Sequence, residues 1–195
     1  MASKRNLEDE ILDAARTCVE AFGVRRTTLT DVARRAGVSR PTVYRRWPDV
    51  TALVADLLTR ELRDILLAEE DAAEHDGADE SARARLVRHA AGVARAMLDH
   101  ALVGRIVDTE PELLATYTFH RQGSSHQVAL ELVEPAIAQG QVDGSIREGD
   151  PAVLAHLVMV TVQNTVTSHR LFAEVLDGPG LITELSTLLD GYLRP

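Results

Sequence analysis

The sequence predicts an all-α protein of about nine helices, with a three-helix N-terminal head carrying a helix-turn-helix and a larger helical body behind it. Three observations carry this reading. Apolar residues recur at three- and four-residue spacing in one segment after another. Residues 28–47, TLTDVARRAGVSRPTVYRRW, read as two short helices around a tight turn. Helix starts and stops punctuate the chain, among them Thr28, Gly37, Ser39 and Asp150-Pro151. The boundary falls at the start of the fourth helix, giving a head of residues 1–49 and a body of 50–195.

Bulk properties narrow the class. No apolar run approaches the roughly 20 residues that cross a bilayer, and MASKRNLEDE has no apolar stretch behind its basic residues, so no secretory signal is expected. Cys18 is the single cysteine, which rules out an intramolecular disulfide and a cysteine-based zinc site. A cytoplasmic protein with no membrane partner follows. The net charge of −9 is unevenly divided. Residues 1–50 hold 10 Lys/Arg against 7 Asp/Glu, a net +3, and residues 51–195 hold 11 against 23, a net −12. An acidic body keeps most of the surface away from phosphates while the basic head turns towards them.

The first helix spans residues 6–22, with Leu7, Ile11, Ala14, Ala15, Cys18 and Phe22 on one face. Acids fill its early turns, where the helix dipole favours them, and Gly23 ends it. The second starts at Thr28, whose hydroxyl and the Asp31 carboxylate form a capping box. Gly37 stops it. Ser39 then caps a third helix with Pro41 in its first turn, where a missing N–H costs nothing. That helix offers Val43 and Trp47 as apolar anchors and otherwise shows Arg40, Thr42, Tyr44, Arg45 and Arg46. A cation at Arg40 faces the positive end of the helix dipole, at a cost of about 0.3–1 kcal/mol, which a nearby DNA anion would reverse.

From the first helix to about Leu53 these residues resemble the DNA-binding domain of the TetR family of bacterial transcriptional regulators. The matching features are Thr28, Asp31-Val32-Ala33, Ala36-Gly37-Val38-Ser39, Thr42-Val43-Tyr44, Trp47-Pro48 and Ala52-Leu53. Beyond them the resemblance is one of architecture. It implies a dimeric regulator whose body holds a small-molecule effector, with binding shifting the fourth helix and the spacing of the two heads. One departure stands out: the family usually carries a phosphate-contacting lysine near the start of the fourth helix, and Asp49-Val50-Thr51 offers none. Either Arg45, Arg46, Arg25 or Arg26 supplies that charge instead, or affinity for DNA is lower.

The fourth helix runs from about Val50 into the 70s with Leu53, Val54, Leu57, Leu58, Leu62, Ile65 and Leu66 on one broad side. Residues 71–80 read as an acidic loop, and helices follow at 81–100 and 101–107. Thr109-Glu110-Pro111-Glu112 reads as a second capping-box start, for a helix that carries Tyr117 and Phe119. Gly123-Ser124-Ser125 and Pro135 predict weak points, and Gly140 to Gly149 a turn-rich connector. Asp150-Pro151 opens a helix to about Phe172 that is apolar nearly all round, hence buried on more than one side. The last helix carries Leu181, Ile182, Leu185, Leu188, Leu189, Tyr192 and Leu193. These two helices either close the core of one chain or pack on their copies through residues about 150–172 and 181–193, as a homodimer. The resemblance implies the second.

Side chains in the N-terminal half of a recognition helix meet base edges. Arg40 is the first base reader, since a guanidinium bonds guanine O6 and N7 together; Arg45 is second and Thr30 third. Thr28, Ser39, Thr42, Tyr44 and Arg46 suit phosphate, and Pro41 a thymine methyl. The expected partner is a pseudo-palindromic double-stranded DNA operator, and the expected activity that of a repressor released by its effector. Tyr117, Phe119, His120, Arg121, His126, Gln163 and Asn164 are the candidates to line a small, largely apolar effector site. No enzyme is expected: no nucleophile elbow, phosphate loop or metal spacing appears, and neither His120/His126 nor His156/His169 has the i, i+4 spacing of a ligand pair. No cofactor or metal is expected. An architectural, nucleoid-associated DNA binder without a ligand is the alternative function.

Overall fold

In the computed structural model, which describes residues 2–75, 80–110 and 124–195, every regular element among the described residues is helical. Nine α-helices occur there: α1 (Ala2–Phe22), α2 (Leu29–Arg35), α3 (Arg40–Tyr44), α4 (Val50–His75), α5 (Ala82–Asp99), α6 (Ala101–Thr109), α7 (Ser124–Val142), α8 (Pro151–Thr167) and α9 (Gly178–Leu193). None is long and apolar enough to cross a membrane.

The described parts of Met1–Glu61 and His100–Arg121 form one compact unit, and those of Leu62–Asp99 and Gln122–Pro195 a second. In the first, α1 lays Ile11, Leu12, Ala15, Cys18 and Val19 against Val32, Val43, Trp47, Leu53 and Leu57. Leu102 and Ile106 of α6 join the same core, so a helix remote in sequence completes the head. Burial pushes the Cys18 thiol up, which fits a packed apolar side chain rather than a reactive one. The same unit buries a carboxylate. Glu61 of α4 takes Arg16 Nη1 at 3.0 Å, Arg60 Nη2 at 2.8 Å and His100 Nε2 at 3.2 Å. Side chains from α1, α4 and the N-cap of α6 therefore meet at one acid.

In the second unit α5, α7, α8 and α9 share a core of Leu86, Ala90, Ile137, Leu154, Val158, Val162, Leu185 and Leu189. The first turn of α5 is capped from a distance: Asp143 Oδ2 accepts the Ala82 N–H and Ser145 Oγ the Arg83 N–H. Arg147 donates from its backbone to Leu193 O and from its side chain to Tyr192 O, closing the carboxyl end of α9.

Two expectations change here, at α7 and at α8. α7 continues through Pro135 and Gly140 to Val142. A Cβ at Gly140 would lie 2.4 Å from Ile146 Cδ1, so this glycine admits a packed side chain rather than starting a turn. Thr109 is the last residue of α6 and Glu110 its C-cap; the helix expected to open at Thr109-Glu110-Pro111-Glu112 falls in residues 111–123, outside the described residues. The apolar circumference of α8 is not all covered, because the protomer packs only its Leu154, Ala155, Val158, Val162 and Val166 side. Val153, Leu157 and Val160 remain 55%, 47% and 43% exposed.

Candidate nucleic-acid interface

The helix-turn-helix is built by local hydrogen bonds that its own sequence supplies. Thr28 is extended at the N-cap of α2 and its Oγ1 accepts the Asp31 N–H at 3.1 Å. The same hydroxyl donates to Asp31 Oδ2 at 2.6 Å. α2 ends in a Schellman motif: Gly37 takes φ +68°, its N–H reaches Arg34 O, and the Val38 N–H reaches Ala33 O. The positive φ is what demands glycine, since a Cβ there would meet nothing within 4 Å. Ser39 caps α3 by accepting the Thr42 N–H at 3.3 Å.

Val43 and Trp47 hold α3 to the core, and Trp47 Nε1–H donates to Asp56 Oδ2 at 2.8 Å. This anchoring turns Arg40, Pro41, Tyr44 and Arg45 outward as an exposed face, with Thr42 half-buried beside it. The Arg40 and Arg45 side chains have no hydrogen-bond or ion-pair partner among the described residues. An exposed, uncompensated pair of guanidiniums on a helix this short suits an anionic partner.

The other sequence-selected residues are more committed. Thr28 already directs its proton to Asp31, leaving it only as an acceptor. Ser39 Oγ and Thr42 Oγ1 lie 2.7 Å apart, so one of the two keeps a proton for another acceptor. Thr30 is half-buried on α2. Arg46 Nη2 is bound to Glu8 Oε1 of α1 at 2.6 Å, a partner 38 residues away that local pattern could not reveal. Arg25, one of the cations offered in place of the missing lysine, donates to the buried Glu110 at 2.9 Å. Asp49, where the lysine was sought, caps α4 instead: its Oδ1 accepts the Ala52 N–H at 2.8 Å.

The effector candidates divide three ways. Tyr117, Phe119, His120 and Arg121 lie outside the described residues. His126 Nε2 and Gln163 Oε1 are 2.9 Å apart, joining α7 to α8 in a half-buried pair. Asn164 is exposed on α8. A separate open hollow of about 730 Å³ in the second unit is lined by α4, α5 and α9, including Glu69, Arg88, Arg95 and Asp190, and not by His126, Gln163 or Asn164. The described residues contain no group of three or more His, Cys, Asp or Glu placed to hold a metal ion.

Comparison with known proteins agrees with this geometry. The family model for bacterial regulatory proteins of the tetR family matches residues 11–57, from the middle of α1 to the first part of α4. An HTH-type transcriptional regulator of Mycobacterium tuberculosis is 40% identical over 183 residues, 94% of this chain and 92% of the relative. Among solved structures, the fold is similar to that of the transcriptional regulator FadR from Bacillus subtilis in complex with stearoyl-CoA. That match has a TM-score of 0.67 at 17% identity and covers 95% and 98% of the two chains. RolR in complex with resorcinol gives a TM-score of 0.71 at 14% identity over 99% of this chain and 90% of that one. The chain belongs to the TetR family of helix-turn-helix transcriptional regulators.

Proposed function

We propose that this regulator binds a pseudo-palindromic operator as a homodimer and represses until a small, largely apolar effector releases it. The carrying observation is the outward face of α3, where Arg40 and Arg45 stand without partners on a helix fixed from behind by Val43 and Trp47. Arg40 takes the base-reading role, with Arg45 and Thr30 beside it, and Pro41 meets a thymine methyl. Thr42, Tyr44, Ser39 and the outer edge of Arg46 contact phosphate, and Thr28 serves only as an acceptor.

The dimer uses the uncovered apolar strip of α8 (Val153, Leu157 and Val160) with Leu188 of α9 and Leu171 and Phe172 between the two helices. Exposed apolar side chains in such a run cost solvation in a lone protomer and mark an association surface. A two-fold axis pairs like with like and sets two heads for two half-sites, about 34 Å apart or somewhat more if the heads splay. The effector reading draws on the similar folds that hold stearoyl-CoA and resorcinol. In this chain the His126–Gln163 pair supplies the polar handle among aliphatic neighbours of the second unit. α4 belongs to both units along the chain and carries the response, given an effector with different affinity for the two head spacings.

Selection of bound duplexes from a random pool tests the reading. Enrichment of one two-fold-symmetric sequence is the expected result, followed by its release with a subset of metabolites. Binding without any enriched symmetric site would overturn it.

A further inference from the structure

Arg46 is held on two sides. Its Nη2 is bound to Glu8 Oε1 at 2.6 Å, and its Cζ lies 5.9 Å from the centre of the Trp47 ring. Both holds are themselves fixed. Glu8 sits on α1 one turn before the core residues Ile11 and Leu12, and the Trp47 indole is buried and hydrogen-bonded to Asp56. The arginine side chain is nevertheless 56% exposed. A guanidinium has five N–H donors in a planar fork, and one carboxylate oxygen occupies only part of that fork.

We propose that Glu8 is a positioning residue for DNA, holding Arg46 as a pre-set clasp whose remaining N–H edge takes a backbone phosphate. This rests on the reading of Arg46 as a phosphate contact. It assigns an acid of α1, outside the helix-turn-helix, to the DNA-binding apparatus. A free arginine loses side-chain freedom when it binds, and one already fixed loses less, a difference of about two- to tenfold in affinity. An acid close to a phosphate also repels it. Positioning and repulsion therefore give opposite signs when Glu8 is removed, and Arg46 decides between them.

The probe is a 40-base-pair duplex of mixed sequence, since phosphate contacts do not depend on the operator. Binding of the full chain is titrated over a range of salt for the wild type, Glu8→Ala, Glu8→Gln, Arg46→Ala and the Glu8→Ala/Arg46→Ala double variant, with thermal melts to confirm folding. Arg46→Ala is expected to weaken binding and to lower the slope of log K against log salt by about one per head. Glu8→Ala is expected to weaken binding two- to tenfold in the wild-type background. Glu8→Gln, which keeps an acceptor, should recover part of that loss. In the Arg46→Ala background the sign should reverse, with loss of the acid tightening binding.

An unchanged salt slope in Arg46→Ala would remove the phosphate reading itself. A normal Arg46 effect together with tighter binding by Glu8→Ala would overturn the positioning role and make Glu8 a competitor of DNA. Equal weakening by Glu8→Ala in both backgrounds would also overturn it, since Glu8 would then act through α1 and not through Arg46.

Discussion

The Asp49 carboxylate accepts the Ala52 N–H at 2.8 Å, so the amino end of α4 is closed by an anion a few residues beyond the recognition helix. Asparagine caps about as well as aspartate. Asp49→Asn should therefore leave the melting temperature nearly unchanged and tighten DNA binding severalfold at low salt. The gain should fade as salt screens the charge, because exposed charges act over only about 10 Å at 0.1 M. Salt-dependent titrations of the two proteins check this. Equal affinity at every salt concentration would place Asp49 away from the phosphates.

Arg40 distinguishes sequence reading from charge. Arg40→Ala should relax preference at one base pair in each half-site and cost about 1–3 kcal/mol there. Titration against a panel of single-position operator variants reads the effect. A uniform loss across the panel would make Arg40 a phosphate contact.

Leu157 lies in the middle of the exposed α8 strip and is 47% exposed. Leu157→Glu should leave the protomer folded while setting two carboxylates against an apolar interface. The expected outcome is a monomer in light scattering with helical content intact, and binding to a two-half-site operator weakened at least tenfold. A dimer that survives this substitution would move the interface elsewhere.

Asp190 ties α9 to its own end and to α5. A hydrogen bond from Arg194 Nη2 at 2.5 Å, with Arg83 nearby, holds its carboxyl below the ordinary value of 3.8. A group depressed on folding adds stability that is present above its unfolded pKa and lost as pH falls through the lower folded value. Melting temperatures of the wild type should therefore fall more steeply below about pH 4 than those of Asp190→Asn. At neutral pH the wild type should be the more stable of the two. Parallel curves from pH 2 to 7 would show the pairing contributes nothing.

Most of the helix-turn-helix was legible in the sequence because it is made by neighbours. Thr28 with Asp31, Gly37 with its positive φ, and Ser39 with Thr42 each act over three or four residues, and each was readable from that spacing. At Gly140 the deciding contact comes from the Ile146 side chain packed against it. Partners such as Glu8 for Arg46 and Glu110 for Arg25 were invisible, since they are brought together only by packing of whole helices. Candidates for the proposed effector site were least legible. A mostly aliphatic body gives every helix the same pattern, and nothing in periodicity separates the lining of a cavity from the filling of a core.

The convergence of Arg16, Arg60 and His100 on buried Glu61 also constrains how the chain can diverge. Removing the acid alone leaves Arg16 to Glu20 and Arg60 to Asp13 but takes the buried acceptor from all three donors, at a cost on the order of 1–3 kcal/mol, whereas exchanging the whole set for apolar side chains of similar volume is often neutral. These four positions should therefore drift as a block. Unfolding of Glu61→Gln beside a quadruple apolar variant would display that epistasis as a large loss followed by its recovery.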